Sequence, residues 1–68
     1  MTNNEILKAA WNYCNTHHMN YVVAQANRND MPFISFIAWE LREIGISKTD
    51  ALQIASLVCD QYGLTKSK

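Results

Sequence analysis

The chain has 68 residues, of which six are basic and six acidic, so its formal net charge is zero. That balance lacks the basic surplus with which nucleic-acid binders neutralise phosphate, and it argues against that class. At 49% hydrophobic and 18% charged residues the chain is too apolar for disorder, and at this length it makes one domain with a thin core of its own.

The first helix is expected to begin near Asn3. Thr2-Asn3-Asn4-Glu5 has capping-box spacing, with Thr2 as N-cap and Glu5 reaching back. Ile6, Leu7, Ala10, Tyr13 and Cys14 form its apolar stripe, and His17, Tyr21 and Ala24 extend the stripe if the helix continues. Asn15 to Asn20 has weak helix propensity but holds neither glycine nor proline. Two readings stand here: one continuous helix, or a break near Met19 with Asn20 capping a short second helix. The weak run favours the break.

Asn27-Arg28-Asn29-Asp30-Met31-Pro32 is the clearest loop. Asp30 is expected to cap the next helix, with Pro32 in its first turn. At 100° per residue, Phe33, Ile34, Ile37, Leu41 and Ile44 fall on one stripe. Gly45 is expected to end this helix in the left-handed conformation, with Ile46 folding back on Leu41. Ser47 caps the last helix, and Asp50 follows at imperfect capping-box spacing. Ala51, Leu52, Ala55, Val58, Cys59 and Tyr62 share its predicted core face. Gly63 and Leu64 close it as Gly45 and Ile46 close its predecessor. The fold read from these signals is all-α: a small bundle of three to four short helices with a helical hairpin at 30–64. Residues 1–64 make the single domain, and 65–68 a frayed tail.

No apolar run has the length of a transmembrane span. The opening residues lack a signal peptide's basic and apolar regions. The chain is therefore expected in the cytoplasm, with Cys14 and Cys59 reduced.

Three constellations carry possible chemistry. Cys14, His17 and His18, with Cys59 from the last helix, offer zinc-ligand types. Neighbouring ligand pairs from two segments are the stronger signature, and Cys59 stands alone, so core packing accounts for both thiols more simply. A Cys14–His17 or Cys14–His18 nucleophilic pair has too little surrounding wall for an oxyanion hole and a groove. Asp50 and Asp60 read as helix-surface charges rather than orienting groups. No metal, cofactor or enzymatic function is therefore expected. The third constellation is Leu41-Arg42-Glu43-Ile44-Gly45-Ile46-Ser47 followed by a helix, which resembles a helix-turn-helix DNA reader over about twenty residues. Ile44, Gly45, Ile46, Ala51 and Ile54 fit that pattern. Leu41 stands where the motif has a small residue, and Glu40 where it has an apolar one. The resemblance implies that Lys48, Thr49 and Gln53 face the groove of a duplex.

Phe36 and Trp39 fall on a flank of the third apolar stripe, and Ile54 and Leu57 on a flank of the fourth. Large exposed apolar patches tend to mark interaction sites. These four residues are therefore the expected association surface. The competing reading puts Trp11 over the Phe36–Trp39 flank inside one chain. The expected function is a small protein-binding module without enzymatic activity. It would self-associate, most simply as a dimer, or dock on a larger protein to regulate or inhibit it. The neutral, motif-poor composition suits accessory proteins of phages and other mobile elements. A small dimeric DNA-binding regulator is the alternative.

Overall fold

Thr2 opens the first helix as its spacing requires. Its hydroxyl accepts from the Glu5 amide at 3.2 Å, and its own amide donates to the Glu5 carboxylate at 2.7 Å. Those bonds hold the Glu5 carboxyl below its ordinary pKa. The computed structural model describes residues 1–65, so the expected tail at 65–68 lies almost wholly outside the described residues. Four helices follow in order: α1 (Asn3–Thr16), α2 (Met19–Arg28), α3 (Phe33–Glu43) and α4 (Lys48–Tyr62). The described residues contain no strand.

The chain breaks between α1 and α2, two residues earlier than the capping reading had it. His17 leaves α1 in an extended conformation. His18, not Asn20, caps α2: its Nδ1 accepts from the Asn20 amide at 3.1 Å. An imidazole nitrogen here does the work usually given to a short polar side chain.

Three helices stop by the same device. At the end of α3 the Gly45 amide donates to Arg42 and the Ile46 amide to Leu41. At the end of α4 the Gly63 amide donates to Asp60 and the Leu64 amide to Cys59. These paired bonds are the Schellman ending expected at both glycines, with φ of 98° and 74°. The third instance corrects the expectation for Asp30. It does not cap α3; it ends α2, with φ of 53°, its amide donating to Asn27 and that of Met31 to Ala26. Aspartate tolerates the left-handed region better than most residues. α3 then starts at Pro32 without a side-chain cap. In each ending the residue after the left-handed one, Met31, Ile46 or Leu64, tucks partly against the core.

α4 is the centre of the molecule. α1 packs on one side of it and α3 on the other, while α2 packs on α3. α4 therefore buries Ala51, Ile54, Ala55, Val58 and Cys59. α1 contributes Ile6, Ala10 and Tyr13, and α2 contributes Val22 and Ala26. α3 contributes Phe36, Ile37, Ala38 and Leu41.

Being flanked on two sides moves the core away from the single-stripe reading. Ile54 is fully buried and Phe36 is 3% exposed, so neither belongs to an exposed association surface. Phe36 fills the seam towards α2, the helix that packs on α3. Ile54 lies on the other side of α4's buried sector from Leu52. Leu52, expected inside, is exposed, and so is Ile44, which sits at the C-cap where the chain turns away.

Candidate protein-docking faces

A half-buried polar cluster is built around one carboxylate. Glu40 on α3 accepts a hydrogen bond from the Tyr13 hydroxyl of α1 and another, at 3.2 Å, from the Tyr21 hydroxyl of α2. This is the position at which a helix-turn-helix would carry an apolar residue. Burial, then the bond to Glu40 and its charge, push the Tyr13 phenol well above the usual tyrosine range. The Glu40 charge also raises Tyr21 above its ordinary value. Rings continue the seam. Tyr13 stacks on His17 at 4.0 Å between centroids and 8° between planes, Tyr21 meets Phe36 edge-on at 6.4 Å, and Phe36 lies 6.2 Å from Trp39. Two neutral phenols on one carboxylate form a clasp for three helices, and no substrate-sized opening adjoins their hydroxyls among the grooves described below.

The thiol and imidazole groups do not converge as a nucleophilic pair. The Tyr62 hydroxyl lies within hydrogen-bonding reach of Cys14, and burial raises the thiol above its ordinary pKa. His17 Nδ1 meets the Thr16 hydroxyl at 2.9 Å and the Tyr13 carbonyl at 3.2 Å, while His18 is taken up in capping α2. Among the described residues no three His, Cys, Asp or Glu side chains are grouped to hold a metal ion. Asp50 meets the Met1 ammonium at 3.3 Å.

Several large apolar side chains remain open to solvent. Trp39 is 51% exposed and Trp11 57%, and they line different grooves. Trp39 stands over a groove of about 240 Å³ between α3 and the first turns of α4, with Ala38, Leu52, Arg42 and Lys48. This groove adjoins a second hollow through the shared walls of Met31 and Trp39. Trp11 walls a groove of about 200 Å³ between α1 and α4, with Leu7, Cys14, Leu57 and Asp60. Both are below the roughly 300–1,000 Å³ usual for small-molecule pockets. A more open hollow on the outer side of α1 continues from Trp11 past Leu7, Lys8 and Glu5. Trp11 does not cover the Phe36–Trp39 flank; it belongs to the α1–α4 side.

Of the four residues expected to form one surface, Trp39 is exposed and Leu57 half-buried against the core, each on a different groove, while Phe36 and Ile54 are core. Leu52, Leu7 and Trp11 join them. The sequence signal for Leu52 was its place at the edge of the α4 stripe. Trp11 was already off the α1 stripe. Lys48, Thr49 and Gln53 are exposed on the outer side of α4. Among the described residues no helix is long and apolar enough to cross a membrane. No protein-family model matches the chain, and neither do curated proteins or solved structures.

Proposed function

We propose that this chain is a small non-enzymatic protein-binding module of the cytoplasm. It docks through its tryptophan faces on a larger protein, or on further copies of itself, and regulates or inhibits what it binds. The observation that carries this reading is the position of Trp39. It stands half exposed beside Leu52, itself 40% exposed, while its ring neighbour Phe36 is buried. Tryptophan is enriched among residues that dominate binding energy. Arg42 and Lys48 supply the polar rim that docking surfaces carry.

The test combines light scattering with affinity capture from the native host, for the wild type and Trp39→Glu. Self-association or retention of a host protein is expected for the wild type, and its loss in the variant with helical circular dichroism preserved. A wild type that is monomeric at all concentrations and retains nothing would sink the reading. So would binding that Trp39→Glu leaves intact.

A duplex-reading role ranks second, favoured by the common exposure of Lys48, Thr49 and Gln53 on α4. Their ridge has one cation, and it shares the outer side of α4 with Asp60. Phosphate contact supplies much of the affinity of such readers, and one lysine supplies little of it.

A further inference from the structure

We infer that the two faces are the two halves of one contact: the Trp39–Leu52 face of one copy seats on the Leu7–Trp11–Leu57 groove of another. This rests on the reading of the faces as docking surfaces, and it names the partner as a second copy of this chain.

Position is the first support. Leu52 and Leu57 are five residues apart on α4, which turns them roughly 140° from each other around the helix. The polar residues Thr49, Gln53 and Ser56 lie between them. One copy can therefore engage two neighbours at once, one on each flank. Sign is the second. The charged side chains lining the Trp39 groove are Arg42 and Lys48; Glu43 stands outside it. The Trp11 groove is lined by Asp60, and the hollow that continues from it by Glu5 and Lys8. Two Trp39 faces joined by a twofold axis would gather two arginines and two lysines around one apolar patch. Like-charge juxtaposition of that kind suppresses a pairing. A Trp39 face on a Trp11 groove instead sets Arg42 and Lys48 against Asp60 and, at the groove's open end, against Glu5 beside Lys8. Scale is the third. The grooves are of similar size, about 240 and 200 Å³, and each is walled by a tryptophan half out of the surface, so each offers the other a projecting ring. A contact between unlike faces repeats from copy to copy, head to tail.

Mixing variants with one disabled face tests this. By light scattering the wild-type mass should climb with concentration. Trp39→Glu and Trp11→Glu, each alone, should stay at the single-chain mass of 7.8 kDa. Mixed in equal amounts, each supplies the face the other lacks, and the mass should double and rise no further. Leu52→Glu and Leu7→Glu, a gentler pair, should repeat the result, with circular dichroism showing that each variant is folded. Raised salt should weaken the association. Self-association of Trp11→Glu alone would overturn the inference in favour of like-with-like pairing of Trp39 faces, and self-association of Trp39→Glu alone in favour of paired Trp11 grooves. A mixture that stays at one chain mass would overturn it too. A wild type that is monomeric throughout, yet retains a host protein in a Trp39-dependent way, would end the self-contact and leave the docking reading standing.

Discussion

The Tyr62 hydroxyl, in the last turn of α4, donates a hydrogen bond to the backbone carbonyl of His17, the residue that ends α1. The end of the central helix is thereby fastened to the corner where α1 gives way to α2. Tyr62→Phe removes that donor and leaves the ring. A loss of about 1 kcal/mol is expected, read as a melting temperature lower by about 4–8 °C for a domain of this size. An unchanged melt would mean that water serves the carbonyl equally well.

Gly45 and Gly63 are left-handed, and a methyl group added at either would meet nothing within 4 Å. Any cost of substitution there is backbone strain, not crowding. Gly45→Ala and Gly63→Ala should each cost roughly 1–2 kcal/mol, and Gly45→Val about 1–3 kcal/mol. Denaturant titration checks this. Equal stability of Gly45→Ala and the wild type would show that the α3 stop does not depend on the left-handed conformation.

Alkaline pH should unfold the protein. Burial first, and then the charge and hydrogen bond of Cys14, push the Tyr62 phenol from 10.0 up to about 12. Burial and Glu40 raise Tyr13 as well. A phenol held neutral on folding binds its proton more tightly in the folded chain than in the unfolded one. Its contribution is therefore complete below pH 10.0 and is withdrawn as pH climbs from there towards about 12. Absorbance of tyrosinate should rise late and together with the loss of helical signal. Ionisation of all three tyrosines near pH 10.0 in a still-folded chain would contradict it.

Charge placed on the faces should be tolerated and charge placed inside should not. Trp39→Glu and Leu52→Glu should keep the helical signal. Phe36→Glu and Ile54→Glu bury an unpaired carboxylate at a cost of several kcal/mol, against a total stability of about 3–10 kcal/mol for a domain this small. Those two should unfold. A folded Ile54→Glu would mean that α4 does not pack between α1 and α3.

Random duplex DNA should show no measurable binding at physiological salt. A salt-sensitive gel shift at micromolar protein, abolished by Lys48→Glu, would reverse the ranking of the two functional readings.

The helix ends were legible where the residue type itself forces the geometry. Thr2 with Glu5, Ser47, Gly45 and Gly63 do in the structure what their chemistry dictates. Asp30 was not legible, because the left-handed region admits aspartate without requiring it, and a loop aspartate caps a following helix as readily. His18 was hidden for a similar reason, imidazole being an uncommon cap. The candidate site was legible only in half, at Trp39 and Leu57. A stripe counted along one helix assumes one packing partner. α4 has two, and its buried sector turns by roughly 30° towards Ile54 relative to the single-stripe reading, which expels Leu52. Which neighbour lies on which side is a property of the whole chain, and residue spacing within one helix does not encode it.

The docking of α1 on α4 sets an order of events during synthesis. α1 is the earliest of the four helices to leave the ribosome, yet the surface that covers Ile6, Ala10 and Tyr13 belongs in large part to the latest. α2, α3 and α4 meet neighbours that precede or follow them directly, and loop closure between such neighbours is short. α1 must keep its apolar side exposed while the intervening residues are made. Trp11, riding on α1, therefore comes to its groove only once α4 has been made.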